Sequence, residues 1–177
     1  MPFQPPADLT ITDADHETQD IASFTCGDAD LEDFIKTECI AWGQQRLSVT
    51  KIALLDTAVV GYIALAADSI PLELKERGWL PSGVTTQHIP ALKVGRLAVH
   101  SGHRDADIGT ALMRYALGVA FRLSTDLHVG CRCLTVDAYP ASVKFYEKLG
   151  FVKSEHRWFK KRTNAAMYYD IVGGQPF

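Results

Sequence analysis

Apolar positions along this chain recur with two periods, and the switches between the periods mark out its elements. Leu31, Phe34 and Ile35, with Cys39 and Trp42 behind them, fall at helical spacing and predict an amphipathic helix over 28–42. Cys26-Gly27-Asp28 supplies the turn before it, with Asp28 as N-cap. Two β-branched runs, Val49–Asp56 and Val59–Ala67, meet near Thr57-Ala58 and predict a hairpin. Residues 69–90 mix Ser, Pro and Gly around a short charged piece at 72–77, which predicts a loop-rich insertion with one helical turn. Ala91–Val99 reads as a buried strand. Ile108, Ala111, Leu112, Tyr115, Ala116, Val119 and Leu123 hold one stripe and give the clearest helix, 108–123. Cys131–Ala138 reads as a strand, and Pro140–Leu149 as a helix closed by Gly150. Phe151–Phe159 and Ala165–Val172 complete the set as strands. At the N-terminus, Leu9–Thr12 is either an edge strand or part of a mobile stretch, with residues 1–8 its loosest end.

Strand–helix–strand–helix in the middle demands a parallel crossover, while the hairpins demand antiparallel edges. The expected class is therefore α/β (α+β): one mixed sheet with helices on both faces. The 177 residues fit a single domain at ~150 residues per domain. Hydrophobic content of 47% and charged content of 22% exclude a disordered chain, a collagen or a coiled coil. No run approaches the ~18 apolar residues of a membrane span, the longest being broken by Asp56, Asp68 or Arg122. The first 15 residues carry neither a basic cluster nor an apolar run, so no signal peptide is readable and a cytoplasmic domain is expected. Cys26, Cys39, Cys131 and Cys133 read as reduced structural thiols, neither a disulfide framework nor a metal site. Charge is uneven. Residues 1–40 hold ten acids against Lys36 alone, whereas 141–162 hold seven bases against Glu147 and Glu155. The overall −3 argues against broad nucleic-acid binding but leaves room for a local basic face.

Chemistry concentrates in His100–Thr110, between the strand ending at Val99 and the helix starting at Ile108. A strand, a short loop and a helix N-terminus make an anion-binding geometry, because free N–H groups and the positive dipole end face the loop. Arg104 adds a cation, Gly109 close backbone approach and Thr110 a hydroxyl; an ordinary turn capped by Asp107 is the plain alternative. Ser142 and Tyr146, at i and i+4, share one face of the next helix, beside a core face of Phe145 and Leu149. Proton-transfer chemistry at such a site would also need a base. Asp137, Asp68 with Ser69, His100 and His103 stand at strand ends or in loops, and none of them is singled out as base.

Three further stretches frame these pieces: Val94-Gly-Arg-Leu-Ala-Val99, Leu134-Thr-Val-Asp-Ala138 and Phe145-Tyr-Glu-Lys-Leu-Gly-Phe151. With Arg104-Asp-Ala-Asp-Ile-Gly109-Thr110 they resemble, over 91–152, the GNAT family of acetyl-CoA-dependent N-acetyltransferases. The resemblance implies the GNAT fold, mostly antiparallel, with a central pair of splayed parallel strands. It implies acetyl-CoA held by the backbone of Leu97, Ala98 and Val99, with its pyrophosphate on Arg104, Asp105, Ala106, Asp107, Ile108, Gly109 and Thr110. Ser142 and Tyr146 complete that set, Tyr146 as general acid for the departing thiolate. No metal is implied. One departure stands out: Asp107 occupies a position where the family has glycine, and beside Asp105 it would repel a diphosphate.

Ile89-Pro90, Gly95–Val99, Cys26–Leu31 and Gly61–Leu65 look like the toxins of GNAT toxin–antitoxin pairs, which acetylate aminoacyl-tRNA. That likeness implies a tRNA acceptor, an antitoxin partner and, by family habit, a homodimer. His156-Arg-Trp-Phe-Lys-Lys-Arg162 could stack bases and touch phosphates, or be a solvated hairpin with Trp158 and Phe159 partly packed. A small-molecule or protein amine remains open as acceptor, as does a catalytically weak acyl-CoA-binding or protein-interaction module on the same fold.

Overall fold

The β-branched hairpin forms as the pattern requires. In the computed structural model, which describes residues 3–174 and 177, β2 (Val49–Leu55) pairs antiparallel with β3 (Ala58–Pro71) through a turn at Asp56, whose φ is +51°. On the other edge of β2 lies β1 (Leu9–Asp13), also antiparallel, so the edge-strand alternative holds. Met1 and Pro2 lie outside the described residues. The remaining strands are β4 (His88–Val99), β5 (Cys133–Ala138), β6 (Val152–Lys153) and β7 (Ala165–Asp170). Their order in the sheet is β1-β2-β3-β4-β5-β7-β6, mostly antiparallel with one parallel pair.

The chain divides into two compact units, one running to Ala66 and including Val94–Tyr115, the other made of Ala67–Lys93 and the chain from Ala116 onward. In the first unit, α1 (Ala29–Asp33) and α2 (Cys39–Gln44) are joined by a π turn, Phe34–Glu38. Asp28 caps α1 as expected, its carboxylate accepting the Leu31 N–H at 3.1 Å. The π turn is a correction to the plain helix. Thr37 and Cys39 donate to the carbonyls of Asp33 and Ile35, four residues back, and the Cys39 N–H reaches Phe34 O instead. Phe24, Phe34, Ile35, Ile52 and Tyr62 fill the core of this unit, and the buried Tyr62 hydroxyl donates to Leu31 O at 2.8 Å.

Both strands flanking the insertion are longer than the sequence suggests: β3 runs on to Pro71 and β4 starts at His88. Burial of Ile70, Leu72 and Ile89 against Cys133 and Tyr168 in the second unit extends them, overriding the local Pro and Ser signals. The helical turn between them, Leu74–Arg77, is closed by a reciprocal capping box of Glu73 and Glu76. The predicted strand over 151–159 shrinks to β6. His156 N–H donates to Ser154 Oγ and Trp158 N–H to His156 Nδ1, so side chains take the donors a ladder would need, and Arg157–Phe159 forms a 3₁₀ turn. Pro140–Ser142 is likewise a 3₁₀ turn that leads into α4 (Val143–Lys148), with Gly150 at φ +82° ending it.

Strand β4 changes face midway. Ile89, Ala91 and Lys93 share one face, the first two packed with Cys133 and the third paired with Asp137, whereas further on the buried Ala98 is of the other parity. Hydrogen bonding agrees: Pro90 O accepts from Arg132 N–H, whereas His100 N–H, of the same parity, donates to Val60 O in β3. An extra residue beyond Lys93, which still shares a face with Ala91, reconciles the two, as in a β-bulge. Past it, Ala98 and His100 turn their backbone groups toward β3. By alternation, those of Leu97 and Val99 face the opposite edge.

Candidate active site

In the first unit, β4 runs through the 3₁₀ turn Ser101–His103 into α3 (Ile108–Thr125). Gly61 lets α3 approach β3: a Cβ there would stand 3.0 Å from Ala98 O, 3.1 Å from Ile108 and 3.2 Å from Leu112. Asp107, the last residue before the helix, has φ +54°. This left-handed conformation is one glycine adopts freely and aspartate tolerates, which explains a glycine preference at this position. Ala111 N–H donates to Asp107 O. Among the described residues, the N–H groups of Asp107, Ile108, Gly109 and Thr110 have no acceptor. Four unspent donors at the positive end of an 18-residue helix fit a diphosphate. The Asp107 carboxylate does not cap them; its Oδ2 accepts the Gln4 N–H at 3.1 Å. Arg104 Nη2 donates to Cys26 O at 2.5 Å, tying the turn before α1 to this loop. Asp105 is exposed and Ala106 half-buried.

His100 Nδ1 accepts the Gly102 N–H at 3.1 Å, and its ring packs edge-on to Phe24 and His103.

In the second unit, α4 carries Tyr146, which is only 5% exposed. Phe145 and Phe151 pack edge-on to its ring, at centroid distances of 5.1 and 5.5 Å. Among the described residues its hydroxyl has no hydrogen-bond partner. Burial raises the phenol's pKa well above its ordinary value, so it stays protonated. Ser142, one turn earlier, is half-buried and makes no side-chain cap.

The same unit contains a cavity of about 240 Å³. Asp68 (β3), Lys93 (β4) and Thr135 and Asp137 (β5) line it, with Trp158 and Arg162 from the segment between β6 and β7. Asp137 bonds Lys93 Nζ at 2.7 Å through one oxygen and lies 3.5 Å from Arg162 Nη1 through the other, so both its oxygens face cations. Asp68 accepts from Thr135 Oγ1 at 2.6 Å and from Ser69 N–H at 2.8 Å, and among the described residues it has no cationic partner. The strand-end aspartates noted in sequence thus belong to one cavity. Lys93 and Thr135 escaped notice, although a lysine inside an otherwise apolar strand was a readable signal. The 156–162 segment divides: Phe159 packs into the core while Trp158 is 58% exposed, beside exposed Arg157, Lys160 and Lys161. All four cysteines are free and buried, and burial pushes the Cys133 thiol up to about 12. Among the described residues no helix is long and apolar enough to cross a membrane.

A family model described as an acetyltransferase (GNAT) domain matches residues 49–153. A tRNA-acetylating toxin of Mycobacterium tuberculosis is 29% identical over 131 residues, 72% of each chain. Among solved structures, AtaT complexed with acetyl-methionyl-tRNAfMet aligns with TM-score 0.76 and 25% identity, covering 92% of this chain and 95% of that one. AtaTR bound with AcCoA aligns with TM-score 0.71 and 24% identity over 93% and 94%.

Proposed function

We propose, from the premise that this chain belongs to the GNAT acetyltransferase family and is an acetyl-CoA-dependent N-acetyltransferase, that its acceptor is the α-amino group of an aminoacyl-tRNA. On this reading it is the toxin of a toxin–antitoxin pair and works in the cytoplasm. The observation that carries the proposal is the likeness to the tRNA-acetylating toxin, which spans 72% of both chains. The exposed Trp158 among Arg157, Lys160 and Lys161 supports it, since a stacking ring amid cations suits a single-stranded RNA end.

Acetyl-CoA supplies the acetyl group as a thioester. The open N–H groups of Asp107–Thr110 take its diphosphate, with Arg104, Asp105 and Ala106 forming the rest of the turn. Leu97 and Val99 offer backbone groups on the edge of β4 turned away from β3, and Ala98 between them holds the strand to the core. Ser142, one turn before Tyr146 and making no cap, offers its hydroxyl to the cofactor. The acceptor nitrogen attacks the thioester carbonyl as free amine, and the N–C bond forms as the C–S bond breaks. Tyr146 gives its proton to the departing sulfur, and the proton lost by the nitrogen passes to water, from which the phenol is restored. Burial that raises the phenol also raises a thiol, as at Cys133. A thiolate leaving into such surroundings shifts in the same direction as the phenol, toward taking up a proton.

The test is direct. Purified protein with acetyl-CoA and a pool of charged tRNAs yields N-acetyl-aminoacyl-tRNA and free thiol. Turnover on polyamines or peptides with none on charged tRNA removes the tRNA reading. A small antitoxin encoded in the adjacent reading frame supports the toxin assignment.

A further inference from the structure

The cavity of the second unit is polarised, and its polarity describes an occupant. At one end Asp68 on β3 is fixed by Thr135 Oγ1 at 2.6 Å and by its neighbour Ser69 N–H at 2.8 Å. Thr135 is itself buried, so this carboxylate is held in one orientation by a group that cannot turn away. It has no cationic partner among the described residues. At the other end Lys93 and Arg162 converge on the single carboxylate of Asp137, leaving two cations to one anion. Exposed Lys160 and Lys161 continue that excess outward. Between the ends the walls are apolar: Ile70, Val136, Phe159 and Met167. An occupant complementary to this arrangement has a cation at one end, a small apolar middle and an anion beyond. The volume, about 240 Å³, falls below the ~300–1,000 Å³ usual for drug-sized ligands and suits a moiety the size of one amino acid. Polyamines and lysine side chains lack the anionic end.

We infer that Asp68 holds the α-ammonium of the aminoacyl group being acetylated, while Lys93 and Arg162 face the phosphates of the attached nucleotide end. This rests on the aminoacyl-tRNA reading above and assigns the residues that recognise its reactive end. The cavity spans the neighbouring strands β4 and β5 through Lys93 and Thr135, so an ammonium at Asp68 lies over the sheet and not on an outer loop. Asp68 binds the acceptor in its charged form and releases it as the proton passes to water, leaving the free amine to attack.

Asp68→Asn is the informative substitution. The amide oxygen can accept from Ser69 N–H while the NH2 donates to Thr135 Oγ1, so both local contacts are kept while the charge is lost. The readouts are initial rates with a charged tRNA, coenzyme A affinity by calorimetry and binding of the same tRNA uncharged. Expected are a ~30-fold or greater loss in kcat/KM, carried mainly by KM, unchanged coenzyme A affinity and unchanged affinity for uncharged tRNA. Asp68→Glu recovers part of the loss. Arg162→Ala lowers affinity for charged and uncharged tRNA alike and flattens the salt dependence. An Asp68→Asn enzyme within twofold of wild type overturns the assignment while leaving the aminoacyl-tRNA reading standing. Equal losses for charged and uncharged tRNA also overturn it, since the carboxylate would then not be reading the ammonium. Wild type that acetylates no charged tRNA removes both.

Discussion

Replacing Tyr146 by phenylalanine separates chemistry from packing unusually cleanly in this protein. The ring is 5% exposed and packs edge-on against Phe145 and Phe151, contacts a phenylalanine ring keeps. Its hydroxyl has no partner among the described residues, so no hydrogen bond is broken and no buried group is orphaned. Thermal stability near neutral pH should therefore change by less than about 0.5 kcal/mol. Turnover should not be spared. A positioned general acid contributes ~10²–10⁴-fold, and loss at the lower end corresponds to about 2.7 kcal/mol of barrier. Thiol release in stopped assays should fall ~100-fold in kcat with coenzyme A affinity unchanged by calorimetry. Alkaline pH provides an independent check. Burial raises the folded-state pKa of this phenol above its ordinary 10.0. Its contribution is then fully present below pH 10.0 and lost above it, where the unfolded chain ionises and the folded one does not. The wild type should lose about 1.4 kcal/mol per pH unit relative to the Phe variant in that range, read from urea unfolding at pH 8 and pH 11. Undiminished turnover would remove Tyr146 from the reaction. Parallel pH–stability curves would show that the phenol reaches solvent.

Two further substitutions probe the first unit. Asp107→Gly removes a carboxylate beside the open amides at a backbone position with φ +54°. At ~8 Å and an effective dielectric of ~20 the repulsion of a diphosphate charge is about 2 kcal/mol, cut to roughly a third by physiological salt. Coenzyme A should bind about threefold tighter by calorimetry, whereas weaker binding would mean the Gln4 contact organises the turn. Gly61→Ala pushes a methyl to 3.0 Å from Ala98 O and 3.1 Å from Ile108. It should cost about 1–3 kcal/mol, seen as a melting point lower by roughly 3–10 °C. An unchanged melting point would mean α3 does not press on β3 there.

The sequence by itself determined the elements whose cause is local. The Asp28 cap, the β2–β3 hairpin, the α3 stripe and the left-handed Gly150 each follow from residues within a few positions of one another. The turn of open amides before α3 was legible for the same reason, because its donors are the first N–H groups of one helix. Even the oddity at Asp107 was visible as a residue in a glycine position, although the Gln4 contact that occupies its carboxylate was not.

Tertiary structure decided the rest. The switch along β4 shows only in its pairing, Pro90 bonding to Arg132 and His100 to Val60, neighbours that the strand's own residues do not name. The strand expected over 151–159 lost its donors to Ser154 and His156, a competition that propensity does not weigh. The polar cavity depended most on folding. Asp68 meets Thr135 across 67 positions and Lys93 meets Asp137 across 44. Periodicity is blind at such separations: it reports which way a side chain points along its own element, while the charge that will stand opposite is set by which strands become neighbours in the sheet.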